Sequence, residues 1–325
     1  MKDVKIEFRK PMYPVNPELM DYLEKNHRLT NIRFYYDDLL RFSDYMPVHD
    51  KEGKDTLWLN VYYPEFEHAE IEANLNKIYT LLHSDGDVDV LPFLKVDSIH
   101  FCTFGNSKPF RIRVRNILND NYTNFYIKKA DASRIYGLEL EEILSPNRIN
   151  FLLYKDTLIE EHILGIPGDV FIEKHLDQCS PQEKAQIAKE FVKFNERCLI
   201  GLLGDMRSYN YVVIPAHDFD QVVYRIRPID FDQQCYEGNL KIYLPQYFKE
   251  NKKMVEMVYD RLKPNSIEQY RKEVRSAIAK RASTDGRLPH LLEIMKRDEI
   301  SKPEHVEELK AGLHKLTYSI QFKKC

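Results

Sequence analysis

The sequence contains no apolar run near the ~18 residues that a membrane-spanning helix requires, so none is expected. Its opening residues, "MKDVKIEFRK", alternate charged and apolar side chains and lack the continuous apolar core of a secretion signal. Cysteine is sparse: Cys102, Cys179, Cys198, Cys235 and Cys325 are odd in number, scattered, and never spaced as C-x-x-C. That pattern argues against a disulfide framework or a cysteine zinc site and fits a reducing, cytoplasmic setting. A dominant sign of charge is also missing. Net charge is -3 with no long acidic or basic run, which removes the electrostatic case for nucleic acid or an anionic membrane as main partner. Internal repeats and low-complexity segments are absent, and no stretch reads G-x-G-x-x-G.

What is present describes a globular chain. With 325 residues, 43% hydrophobic and 30% charged, it suffices for one large domain or two ordinary ones. The first ~95 residues mix helix and strand signals. "TLWLNVYY" reads as a strand, and 68–83 sets Ile71, Leu75, Ile78 and Leu82 at helical spacing. From about 98, "SIHFCTF", "FRIRVR" and "TNFYIKK" are separated by the turn formers Gly-Asn-Ser and Asn-Asp-Asn, which predicts an antiparallel meander. A helix is expected near 133–144, followed by a strand-like run, "NFLLYKDTLIEEHI", broken by "GIPGD".

The best-marked helix starts at Ser180, a plausible N-cap, with Pro181 at its first position and Glu183 completing a capping box. Ile187, Phe191, Phe194, Cys198 and Leu202 line one face, and the chain then reaches Gly204-Asp205. Two β-rich runs follow, "YVVI" and "VVYRIRPI", joined by "PAHDFDQ". Residues 240–325 read as helical, with a second capping box at Ser301 and Glu304. Strands and one helix followed by a mostly helical half predict an α+β, two-lobed plan.

Asp-x-x-x-x-Asn occurs four times, at Asp21/Asn26, Asp55/Asn60, Asp205/Asn210 and Asp260/Asn265, so spacing alone carries nothing. Context separates the third pair. A hairpin returns the chain to its starting point, so Asp205 and Asn210, just before the first strand, should meet Asp230 and Asp232, just after the second. Three carboxylates and an amide oxygen with Arg207 among them call for a hard cation or a metal-bound phosphate. The competing reading is a solvated hairpin end whose acids do nothing.

"LGDMRSYN" followed by "IDFD" resembles the catalytic and metal-binding segments of the aminoglycoside phosphotransferase and choline kinase-type branch of protein-kinase-like enzymes, which typically read H-G-D-x-x-x-x-N and then I-D-[FW]. The resemblance implies Asp205 as base, Asn210 and Asp230 as Mg²⁺ ligands, and Arg207 neutralising the transferred phosphoryl group. "NFYIKKAD" is similar to the strand whose lysine binds nucleotide phosphates. Lys128 is preferred and Lys129 is the alternative, since the two point to opposite faces of a strand. The helix "YGLELEEIL" offers Glu139, Glu141 or Glu142 as that lysine's partner, with Glu141 preferred. "LIEEHILGIPGDVF" resembles the interlobe hinge, where backbone at Glu161 to Ile163 would meet the adenine edge. "TFGNSKPF" would be the phosphate-covering loop, with Gly105 and Ser107 or Lys108 cradling phosphate.

The pattern departs from the family in three places: Leu203 stands for the histidine, Gly105 is the only glycine in its loop, and "DFD" replaces "DFG", leaving Asp232 a second metal ligand or a turn acid. The resemblance covers roughly 98–240. It implies a kinase-like bilobal fold divided as an extension (1–95), a small nucleotide-binding lobe with hinge (96–162) and a helical lobe (163–325). The implied activity is ATP- and Mg²⁺-dependent phosphotransfer to a hydroxyl, on a small molecule in this branch. A silent nucleotide-binding relative and a nucleotidyl (AMP) transferase are the alternatives. Tyr236, Glu237, Tyr243 and Tyr247 would either line the acceptor pocket or fill the core.

Overall fold

The computed structural model describes residues 10–104, 107–218 and 221–317. The chain divides into two compact units. One comprises the described part of Arg9–Ala132 together with Ile149–His162; the other comprises Ser133–Arg148 and the described part of Ile163–Cys325.

The first unit is built on a sheet. After helix α1 (Pro17–Lys25) and the single turn α2 (Tyr36–Leu39) come strands β1 (Asp44–His49) and β2 (Asp55–Tyr62), then helix α3 (Glu65–His83). Strands β3 (Leu94–Cys102), β4 (Phe110–Asn116) and β5 (Asn121–Lys129) form the expected meander. The run 150–163 makes two strands where one was expected, β6 (Phe151–Tyr154) and β7 (Thr157–Glu161). The polar Lys155-Asp156 pair turns the chain, with Lys155 in the left-handed region at φ 51°. All seven strands lie in one antiparallel sheet, ordered β1-β2-β3-β4-β5-β7-β6. Position 95 therefore lies inside the sheet, because β2 pairs directly with β3. The alternation of β4 and β5 puts Ile112, Val114, Phe125 and Ile127 on one face, where Ile71, Leu75, Ile78 and Leu82 of α3 complete the core.

The second unit is mostly helical: α4 (Ala132–Leu144), the short strand β8 (Ile166–Pro167), the single turn α5 (Gly168–Val170), α6 (Pro181–Gly201), the hairpin β9 (Tyr211–Asp218) and β10 (Gln221–Pro228), then α7 (Lys252–Arg261), α8 (Pro264–Thr284), α9 (Arg287–Arg297) and α10 (Pro303–Thr317). The capping box of α6 is present: Ser180 Oγ accepts from Glu183 N–H, and Glu183 Oε2 accepts from Ser180 N–H. Leu202 is the left-handed cap of α6 at φ 50°, not part of its buried face. The capping box expected at Ser301 does not form, because α10 starts at Pro303 and the Ser301 hydroxyl donates to the Cys235 carbonyl. The fold is thus α+β, with an antiparallel sheet and a helical part. No described helix is long and apolar enough to cross a membrane.

Candidate functional site

The hairpin registers Tyr211 opposite Pro228, so its two ends coincide, and Ile229 N–H donates to Asn210 O at 3.0 Å. Asp205–Asn210 and Asp230–Asp232 are brought together as the topology required. The loop is pinned from several sides. Gly204 N–H donates to Gln233 O, and Asp205 N–H donates to Ile242 O. A Cβ on Gly204 would lie 2.8 Å from Ile242 Cγ2, so the close approach requires glycine. Asn251, fully buried, donates to both Met206 O and Pro245 O and accepts from the Tyr211 hydroxyl. The four-fold occurrence of the Asp/Asn spacing could not have pointed to Asn251, which is 46 residues from Asp205.

Asp205 sits in the left-handed region at φ 56°. Its main-chain oxygen accepts from Asn210 Nδ2 at 2.8 Å and from Arg207 N–H at 2.8 Å. This commits the amide nitrogen of Asn210 inward and leaves its Oδ1 without a donor from the protein among the described residues. The Asp205 carboxylate accepts from Arg207 Nε at 2.8 Å, and Arg207 Nη1 bridges to Glu250 Oε1 at 2.8 Å over the Phe248 ring. Burial pushes the Asp205 carboxyl up to about 6; the Arg207 charge opposes this, while the charges of Asp230 and Glu250 add to it.

The acids after the hairpin have a partner that sequence reasoning missed. Arg134, buried in the first turn of α4, places Nη2 2.6 Å from Asp230 Oδ1 and Nε 2.7 Å from Asp232 Oδ1. Its neighbour Ser133 donates to the main-chain oxygens of Asp232 and Gln234, which fixes α4 to this segment. The cluster is therefore partly compensated by two guanidinium groups, Arg134 and Arg207, where the sequence called for a metal. Among the described residues no three His, Cys, Asp or Glu side chains converge as a metal cage. The donor set of Asn210 Oδ1, Asp230 and Asp232 is nonetheless all oxygen, the chemistry of a hard cation. Magnesium is ordinarily held by one or two carboxylates plus phosphate and water, so these residues fit it in a site shared with Arg134.

In the sheet unit the two lysines differ. Lys128 is buried, its Nζ 2.8 Å from Glu160 Oε2, whereas Lys129 is half-exposed near Asp37 and Asp156. The partner of Lys128 is Glu160 on β7. Glu141, preferred from sequence, instead accepts from Ser145 Oγ and Asn147 Nδ2. Glu160 reaches the lysine because β5 and β7 are adjacent, a pairing invisible along the chain. The Glu161 N–H is committed to Asn150 O at 3.0 Å, so Glu161 has no amide to offer a base edge. Ile163 is the first residue after the chain leaves the sheet unit. Gly105 lies outside the described residues; Ser107 is half-buried, and Lys108 takes a left-handed φ of 38°. Tyr236 and Tyr243 are core residues, the Tyr243 hydroxyl bonding the Glu237 backbone, while Tyr247 is half-buried. Compared with models of known protein families and with curated protein sequences, the chain matches none.

Proposed function

We propose that this chain is a kinase-like phosphotransferase that moves the γ-phosphoryl group of ATP, with Mg²⁺, to a hydroxyl of a small molecule. The observation that carries the reading is the closure of the β9–β10 hairpin, which sets Asp205, Arg207 and Asn210 against Asp230 and Asp232.

Asp205 accepts the acceptor's hydroxyl proton. A carboxyl raised to about 6 is a stronger base than an ordinary aspartate and is still ionised at neutral pH. Arg207 holds that carboxylate in one orientation and carries positive charge beside it, where negative charge develops on the moving phosphoryl group. Asn210 and Asp230 would hold Mg²⁺, which supplies charge neutralisation on the phosphate oxygens. Lys128, oriented by Glu160, offers an ammonium for nucleotide phosphate. Such a reaction asks the protein chiefly for positioning and charge.

One observation favours a second reading, a nucleotide-binding relative without turnover. Arg134 holds two of the three candidate metal ligands, Asp230 and Asp232, and Arg207 caps the base. The test is thermal unfolding of wild type and Asp230→Asn with and without saturating Mg·ATP, followed by assay with γ- and α-labelled ATP. Ligand at ~100 times its dissociation constant stabilises by about 2.7 kcal/mol. A metal-dependent shift lost in Asp230→Asn, with γ-label transferred to an acceptor, supports the enzyme. A shift without transfer supports the silent relative, α-label transfer a nucleotidyl transferase, and no shift defeats all three.

A further inference from the structure

Away from the hairpin acids, α6, α7 and α8 of the helical unit line a cavity of about 320 Å³. Its apolar wall follows from helical spacing. Val255, Val258 and Leu262 recur at intervals of three and four along α7 and its C-cap, and Ile267 and Arg271 do so on α8. Phe191, fully buried on α6, closes the wall behind them. Asn195, also buried on α6, is satisfied: its Nδ2 donates to Phe191 O at 2.7 Å, and its Oδ1 accepts from Gln246 N–H at 2.9 Å. That buried amide therefore demands no polar atom of a ligand.

The charged group stands at the rim. Tyr259 lines the cavity yet is 72% exposed, which puts it at the mouth, and the Arg271 side chain is also part-exposed. Arg271 makes no hydrogen bond among the described residues. Its acidic neighbours Glu196 and Glu268 are each 3.8 Å away, beyond hydrogen-bond reach, and Glu196 is held by Arg275 at 2.6 Å. On the same helix pair Lys189 and Lys193 lie over the Tyr270 ring, and Lys193 pairs with Glu273 at 2.8 Å. In this network four cations, Lys189, Lys193, Arg271 and Arg275, meet three acids, Glu196, Glu268 and Glu273. An excess of one positive charge suits a monoanion, and the arginine fork matches a carboxylate.

We propose that this cavity binds an alkyl carboxylate, its hydrocarbon chain along the wall from Phe191 to Leu262 and its carboxylate on Arg271. An apolar cavity of about 150 Å³ takes benzene, so this one has room for about ten carbons. The site needs neither Asp205 nor Lys128 nor metal, and it stands or falls apart from the phosphotransferase reading. The experiment is calorimetric titration of the full chain, without nucleotide or divalent metal, with octanoate, butanoate and octanol. Expected is one saturable site for octanoate. Butanoate, four methylenes shorter, should bind on the order of a hundredfold more weakly. Octanol, which lacks the charge, should bind roughly tenfold more weakly or worse. Arg271→Gln should lower octanoate to the level of octanol and leave octanol nearly unchanged. Val255→Phe, which fills the cavity from its half-buried wall, should weaken both. Asp230→Asn should bind octanoate as wild type does. If Val255→Phe does not fold, Arg271→Gln, at a part-exposed position, decides the matter. No saturable octanoate binding, equal binding of octanol, or undiminished binding in Arg271→Gln or Val255→Phe would overturn the proposal. So would loss of binding in Asp230→Asn, which would put the ligand at the hairpin acids.

Discussion

The guanidinium of Arg134 lies 2.6 Å from Asp230, among the acids for which the sequence called for a metal ion. It also bonds Asp232, so one buried cation bridges both acids after the hairpin without cancelling their combined charge. Removing one partner of such a cluster leaves uncompensated charge, and both acids keep some solvent contact. Arg134→Gln is expected to destabilise the protein by about 3 kcal/mol in urea unfolding. If the oxygens suit a hard cation, millimolar Mg²⁺ should restore more stability to this variant than to wild type. Equal responses would remove Asp230 and Asp232 as metal ligands.

The Asp205 carboxyl gives a pH dependence whose sign is fixed by its cause. Burial raises it from 3.8 to about 6 in the folded protein, so its favourable contribution is complete below about pH 4 and is lost as pH rises through about 6. The loss amounts to roughly 2–3 kcal/mol. Asp205→Asn should therefore be at least as stable as wild type at pH 8, and its advantage should vanish below pH 4. The opposite ordering would mean that the Arg207 contact outweighs the cost of burial. In the phosphotransferase reading, turnover should also fall as pH drops through about 6.

Lys128 and Glu160 form a pair buried on both sides. Glu160→Gln strands the ammonium and should cost roughly 3–5 kcal/mol. The double variant Lys128→Met/Glu160→Gln should recover part of that loss, because no isolated charge remains. A double-mutant cycle with near-zero coupling would show that the ammonium finds water instead.

Gly168 packs where no side chain fits: a Cβ there would lie 2.3 Å from Tyr211 Cε2 and 2.4 Å from Ser208 O. Because Ser208 is backbone of the loop holding Asn210, Gly168→Ala must displace that loop. We expect a stability loss of about 3 kcal/mol and, in the phosphotransferase reading, weakened Mg·ATP binding. A variant folded with wild-type stability would contradict the tight contact.

Legibility followed the range of the interactions. The α6 capping box, the α3 face and the meander from β3 to β5 depend on residues a few positions apart, and each is readable from spacing. The Lys155-Asp156 turn was hidden because apolar residues flank it on both sides and the run reads as one strand. Ser301 carried a capping signature, but a tertiary acceptor, Cys235 O, claimed its hydroxyl. The meeting of Asp205–Asn210 with Asp230–Asp232 was readable because two antiparallel strands joined by a short loop bring their outer ends together.

By itself the sequence determined the α+β composition, the hairpin and the acids at its ends, since these follow from local periodicity and turn chemistry. Only the tertiary structure decided which charges face those acids. Arg134 is one of many arginines along the chain, and nothing near it in sequence marks it. The same holds for Glu160 beside Lys128 and for Glu250 beside Arg207. Opposite charges pair by proximity in space, and that proximity is set by how strands and helices pack, 32 residues apart for Lys128 and Glu160 and 96 for Arg134 and Asp230.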